Sequence, residues 1–278
     1  DGAKPCIPEN LAIEDKWILT HYNNAVKEIT VNLDKFELGV AAAKLLEFIW
    51  DVYCDWYIEV VKPRLFEKGT QSCKDAQSVL LYVLTGILKL LHPFMPFISE
   101  EIWSHLNISD GLLISQSYPE YDEKLDFGAE CKSMDRVIDA IRAVRNTRTQ
   151  MNVPPSRKAS VYVVTSDPET FGSCDSFFVK LASASEMKVV DGYDGADAVQ
   201  IVSDTATVYI PLSEVIDLEK ELERIAKERE KAVANLERIE KKLSNESFVS
   251  RAPEAVVNAE REKADKARAL IEKLDASA

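Results

Sequence analysis

From Leu218 to Leu243 the seam positions advance in alternating steps of four and three: Leu218, Leu222, Ile225, Arg229, Ala232, Leu236, Ile239 and Leu243. That rhythm is a heptad seam with one polar break, at Arg229. It commits the segment to a helix, because a strand repeats every second residue and would scatter these side chains over two faces. A helix of ~30 residues reaches ~45 Å at 1.5 Å per residue. The stretch SNESFVSRAP interrupts it, and Pro253 opens a second helix with Val257, Ala264, Ala267, Ile271 and Leu274 as its seam. A short connector between two such helices favours an antiparallel hairpin. Ala264 and Ala267 are small enough to let two backbones approach closely. Arg229 is expected either to pair with Glu260 across the hairpin or to mark a local bend.

The expected fold class is mainly α, in three parts: a helical bundle over residues 10–158, a small α/β unit over 159–212, and a coiled-coil hairpin over 213–278. In the bundle, LAIEDKWILTHYNNAVKEITVNL has apolar residues at mixed spacings of three and four. Asp34 is placed to cap the next helix. That helix carries a stripe of Phe36, Val40, Ala43, Leu46, Trp50, Tyr53, Tyr57 and Val60, with Pro63 ending it. DAQSVLLYVLTGILKLLHP is apolar on nearly all sides and is expected at the centre. A short helix follows Pro96, then a long loop, then a helix over about 132–151 that stops at NVPPSRK. Beyond it, ASVYVVTS, EMKVV, AVQIVS and ATVYIPL read as strands, and DPETFGSCDSFFVKLAS as a short helix.

The net charge of −13 argues against nonspecific nucleic-acid binding, so the distribution of charge matters more than its sum. No apolar run approaches the ~20 residues needed to cross a bilayer, so no membrane contact is expected. The first ten residues do not read as a signal peptide. A start without Met suits a piece of a longer protein. Five cysteines lie far apart and in odd number, which fits a reducing cytoplasmic setting rather than a disulfide framework or a zinc cluster. His21, His92 and His105 have no metal-ligand spacing with cysteine, so no metal site is expected.

Catalytic motifs are absent from the sequence. There is no Gly-x-x-x-x-Gly-Lys loop, no His-Glu-x-x-His and no Gly-x-Ser-x-Gly. Glu100 and Glu101 are adjacent and point ~100° apart on a helix, unsuited to acid–base pairing. Trp50, Tyr53, Trp56 and Tyr57 read either as a stacking platform for bases or as core, and core is favoured because Trp50, Tyr53 and Tyr57 share a face, with Trp56 and Asp55 pointing elsewhere. The clear charge anomaly is at 132–158. There Lys132, Arg136, Arg142, Arg145, Arg148, Arg157 and Lys158 meet only Asp135 and Asp139. Arg142, Arg145 and Arg148 recur every three residues, with Asn146 and Gln150 beside them. Such a ridge asks for phosphate or for an acidic surface of its own chain. The hairpin tip sets Phe248 and Val249 beside Lys241, Lys242 and Arg251, as a contact point or as a fold-back onto the hairpin.

LLHPFMPFISEEIW resembles the signature of the helical anticodon-binding domain of class I aminoacyl-tRNA synthetases. Four further stretches narrow the resemblance to the valyl-tRNA synthetases, over almost the whole chain: EDKWILTHYN, FIWDVYCDWYIEVVKPRL, AIRAVRNTRTQMNVPPSRK and EKKLSNESFVSRAPEAVV. The resemblance implies a C-terminal part that reads the anticodon stem-loop of the valine tRNA with its bundle and clamps the outer corner of the tRNA with its arm. It also implies that ATP, magnesium, catalysis and editing belong to domains outside this chain, which are its other partners. No cofactor and no catalytic residue are expected here. The tRNA contacts expected on this reading are Arg142, Arg145, Arg148 and Asn146, then Lys62 and Arg64, Lys16 in the start motif, and Lys241, Lys242, Phe248 and Arg251 on the arm. Within the signature itself, Phe94, Met95, Phe97, Ile98 and Trp103 are expected to fill the space between bundle helices. Two other readings stay open on the residues: a scaffold that binds protein partners through its coiled coil, and the corresponding tail of an isoleucyl enzyme.

Overall fold

The computed structural model describes residues 4–106, 108, 111–195, 197–203, 205–215, 218–244 and 254–277, the side chains of 218–226, 228, 254–256, 260, 270 and 273–277 excepted. The chain is mainly helical with one four-stranded sheet. It divides into two compact units, Asp1–Asp194 with Gln200–Tyr209, and Gly195–Val199 with Ile210–Ala278.

In the first unit, α1 (Ile13–Asp34) packs against α2 (Leu38–Glu47), α4 (Gln71–Leu91) and α6 (Gly128–Gln150). α4, expected at the centre, shares that place with α1, and also packs on α3 (Ile58–Phe66) and α5 (Pro96–Leu106). Asp34 is the last residue of α1 rather than the cap of α2, whose N-cap is Glu37. Thr70 caps α4 by accepting from the Cys73 N–H at 3.1 Å.

The crossing of α1 and α4 depends on Gly86. A Cβ there would collide with the hydroxyl and ring of Tyr22, which is buried against Phe48 and Tyr82. Gly86→Ala is therefore expected to cost about 1–3 kcal/mol through overpacking, read as a lowered thermal midpoint of the chain.

Between α2 and α3, Phe48–Tyr57 is a π-helical segment. Its wider turn rotates the buried stripe relative to a continuous α-helix. This corrects the expected stripe. Phe36, Val40, Ala43, Leu46 and Trp50 are exposed, while Ala41, Leu45 and Phe48 face the core. Beyond the shift, Tyr53, Tyr57 and Val60 are buried as expected, and Trp56, expected to point elsewhere, is buried too. Pro63 does not end the helix: it sits inside α3, which runs on to Phe66.

The signature stretch is also corrected. Trp103 is buried, but Phe97 is 91% exposed, Met95 and Ile98 are exposed, and Phe94 is half-buried. Ser99 is the signature residue that turns inward beside Trp103. Its hydroxyl lies 2.8 Å from His92 Nδ1 and donates to the backbone oxygen of Met95 or of Pro96.

The sheet has the order β2-β1-β4-β3. β1 (Ala159–Thr165) runs parallel to β2 (Ala184–Val189) and antiparallel to β4 (Ala206–Pro211), with β3 (Ala198–Val202) at the edge. A parallel pair needs a crossover. α7 (Pro168–Ser173) and α8 (Asp175–Leu181) supply it, two short helices where the sequence suggested one. Phe171 and Phe178 fill the space beneath, both fully buried. Asp167, at the start of α7, accepts from Ser133 of α6 at 3.0 Å.

In the second unit, α9 (Leu212–Val215) precedes α10 (Leu218–Leu243) and α11 (Glu254–Ser277), and the last two pack on each other. Ala232 and Ile239 of α10 and Val257, Ala264 and Ala267 of α11 are buried. Arg268 of α11 donates to Glu240 of α10 at 2.7 Å. Arg229 is exposed, and the Glu260 side chain expected opposite it lies outside the described residues.

Candidate nucleic-acid interface

The arginine ridge of α6 is two residues long, not three. Arg142 and Arg145 are exposed, whereas Arg148 is 6% exposed. A step of three falls ~60° short of a full helical turn, so two steps carry Arg148 ~120° away from Arg142. That places it on the core stripe with Ile141 and Val144. Its Nη2 donates to the backbone oxygens of Pro154, at 3.3 Å, and of Arg157. Burial lowers its pKa. Arg148 fastens the end of α6 to the Pro-rich loop.

Arg142, Arg145 and Asn146 line a cleft of about 770 Å³ with Trp56, Lys180 and the carboxylates of Asp51, Asp55 and Glu59. The Arg142 guanidinium lies 5.0 Å from the centre of the Trp56 ring and donates to Asp139 at 3.2 Å. Burial lowers the pKa of Lys180. The aromatic member of this site is thus Trp56. Cations suit phosphate, and carboxylates accept from the amino edges of unpaired bases.

Three expected contacts are occupied within the chain. Arg64, expected on the surface, is a structural residue whose side chain is 15% exposed. Its Nη1 donates to Glu14 Oε1 at 2.7 Å and to Asp15 Oδ2 at 2.8 Å, and its Nε to Ser72 Oγ at 2.9 Å. The Tyr57 hydroxyl donates to the other Asp15 oxygen at 2.7 Å. Burial, then Asp15, push the Tyr57 pKa well up. Lys16 donates to Glu130 at 2.8 Å and lies over the Phe127 ring, joining α1 to the start of α6. That hydrogen bond is the main reason the Glu130 carboxyl sits below its usual range. Lys62 pairs with Glu59 one turn away and remains half-exposed.

One cluster escaped the sequence reading. His21, Cys131 and Asp135 each bring a ligand-type atom within 4.8 Å of the others. The partners sit over a hundred positions apart, on α1 and α6, so no local spacing announces them. His21 Nε2 lies 3.2 Å from Asp135 Oδ1, Trp17 Nε1 donates to the same oxygen at 2.7 Å, and the Cys131 thiol faces Oδ2 at 3.9 Å. Burial works against the Asp135 carboxylate, but the hydrogen bonds from His21 and Trp17 outweigh it and lower its pKa. Burial, with Asp135 adding to it, pushes the Cys131 thiol up to about 12. The thiol therefore stays protonated at neutral pH. Each group already turns to another member, and the cluster clasps α1 to α6.

On the second unit, a groove of about 380 Å³ runs between α10 and α11. Arg238, Lys242, Lys263 and Lys266 line it with Asn235 over a floor of Ala232, Ile239 and Ala267. Of these cations the sequence reading named only Lys242. Lys241 is exposed on α10 but does not line the groove. Phe248 and Arg251 lie outside the described residues.

A family model described as the anticodon-binding domain of tRNA ligase matches residues 15–163, more than half of the chain. The chain belongs to that family. A second model, described as the valyl tRNA synthetase tRNA binding arm, matches residues 217–277. Valine–tRNA ligases of Clostridium tetani, Clostridium perfringens and Clostridium acetobutylicum are 45%, 44% and 42% identical to the chain over 272, 276 and 271 residues. The matches cover 97%, 98% and 96% of the chain and 31% of each relative, so the chain spans about a third of the length of these curated relatives. The cleft beside Trp56 draws on the anticodon-binding match and on α8 just beyond it. The cationic groove falls wholly within the arm match.

Proposed function

We propose that this chain is the tRNA-holding part of a valine–tRNA ligase, with the helical bundle taking the anticodon stem-loop of the valine tRNA and an antiparallel coiled-coil hairpin, α10 with α11, lying against its outer corner. The observation that carries this reading is the groove of Arg238, Lys242, Lys263 and Lys266. A chain with a net charge of −13 gathers four exposed cations on one narrow surface, which suits a phosphate backbone. The match to a tRNA binding arm over the same residues supports it.

In this assignment the two sites divide the work. Phosphate contacts in the groove fix position and carry no sequence information, while the mixed-charge cleft of Arg142, Arg145, Asn146 and Trp56 meets unpaired bases. ATP, magnesium and the attachment of valine belong to the remaining two-thirds of such a ligase. The parent enzyme is assigned to the cytoplasm. No helix among the described residues is long and apolar enough to cross a membrane.

The test is equilibrium binding of the chain to purified valine tRNA beside isoleucine tRNA at ~50 and ~200 mM salt. The reading expects tighter binding of the valine species and weakening by salt. Binding of neither tRNA at the lower salt would leave the chain as a scaffold for protein partners. Tighter binding of the isoleucine species would make it the tail of the sister enzyme.

A further inference from the structure

The signature stretch that reads as packing material builds a surface instead. α5 turns Ser99 and Trp103 inward and leaves Phe97, Ile98 and Ile102 exposed, with Met95 exposed just before it. The loop that follows is fastened beside it. Glu100 accepts from the N–H of Leu113 at 2.8 Å and of Ile114 at 3.4 Å, and Trp103 Nε1 donates to the Gly111 oxygen at 3.0 Å. Leu113 is pinned in a small core with Leu88 and Trp103, so its two neighbours turn out. Leu112 is 63% and Ile114 72% exposed. Six large apolar side chains are thereby held in place at one helix and one tethered turn. Scattered exposed apolar residues need no explanation, but a fixed group of this kind marks an interface.

Chemistry selects the occupant. Residues 96–106 and 111–116 contain no Lys or Arg, and Glu101 stands exposed among the apolar groups. Neither segment offers a phosphate backbone a lysine or arginine. Relatives matching 96–98% of this chain are about three times its length, so a large folded remainder of the same polypeptide is available to cover the surface. We propose that Met95, Phe97, Ile98, Ile102, Leu112 and Ile114 form the platform on which the preceding part of the full-length ligase docks. This rests on the reading of the chain as part of a longer ligase, and not on where tRNA binds. The signature then holds the anticodon-binding bundle in register with the rest of the enzyme: its inner residues seat the turn and its outer residues make the joint.

The experiment needs no tRNA, so its outcome is separate from the binding test above. Ile102→Cys and Ile114→Cys are introduced singly into the 278-residue chain and into the full-length ligase containing it, with Asp191→Cys, exposed just after β2, as reference. Maleimide labelling of each site is followed by peptide mass spectrometry. Circular dichroism checks that each variant retains its helix content. The platform predicts labelling at both positions at least ~10-fold slower in the full-length enzyme than in the chain, with the reference unchanged. Equal rates overturn it. So does protection within the chain alone that grows with concentration, which assigns the face to a second copy. Protection that appears only when tRNA is added assigns it to nucleic acid and overturns it as well.

Discussion

Replacing Arg64 by Ala lowers the stability of the chain by about 3–5 kcal/mol, the range for stripping one partner from a buried ion pair. The expected fall in thermal midpoint is roughly 6–20 °C, at ~2–4 °C per kcal/mol for a unit of this size. The reason is what Arg64 leaves behind. The Asp15 side chain is 0% and that of Glu14 7% exposed, and both take their hydrogen bonds from one guanidinium nitrogen. Without it, two adjacent carboxylates face the core, with the Tyr57 hydroxyl and the Ala12 N–H still donating to Asp15. If the damage is unpaired charge, removing the charge relieves it. Arg64→Ala combined with Glu14→Gln is expected to recover part of the loss, which a merely lost packing contact would not allow.

Acid is expected to do the same, and the sign can be worked out. Burial, then Asp15, already raise the Glu14 pKa above its ordinary 4.5, with Arg64 working to lower it. A carboxyl with a raised folded-state pKa contributes stability that is full below the unfolded value and is lost as pH rises through the folded one. Removing Arg64 raises that folded pKa further. The deficit of the variant should therefore shrink between pH 7 and pH 5. Urea unfolding at the two values measures it, and a deficit that grows toward acid would contradict the account.

Arg64 also shows where the sequence is legible and where it stops being so. The heptad steps, the four strands and the loop at NVPPSRK are local patterns, and the structure carries helices and strands where they stand. The partners of Arg64 lie about fifty positions away. In the sequence it is one of two cations after an aromatic helix, with the look of a surface residue. The offset between the buried residues before Phe48 and those from Tyr53 onward has another cause. A stripe drawn at 3.6 residues per turn assumes one helix geometry throughout, and the π segment at 48–57 breaks that assumption. The arm groove was hidden by cancellation. Glu237, Glu240, Glu262 and Asp265 alternate with its cations along the chain, so the local charge is near neutral until two helices bring four cations to one side.

That gathering of charge sets the second large effect. The quadruple change of Arg238, Lys242, Lys263 and Lys266 to Ala is expected to weaken binding of valine tRNA about 100-fold at low salt. Four exposed charge contacts at ~0.5–1 kcal/mol each sum to ~2–4 kcal/mol, and ~1.4 kcal/mol is tenfold. The dependence of log K on log salt should flatten by up to ~3, since each phosphate contact contributes ~0.7–0.9 to the slope. Phosphates are the same in every tRNA, so the isoleucine species should lose as much and the preference between the two should survive. Arg142→Ala with Arg145→Ala makes the opposite demand. Those cations stand beside Trp56 and the cleft carboxylates, where bases are to be distinguished, so the preference should narrow while the salt slope falls by no more than ~2. Finding the preference altered by the groove variant and untouched by the cleft variant would reverse the two roles. It would mean that the arm reads and the bundle only holds.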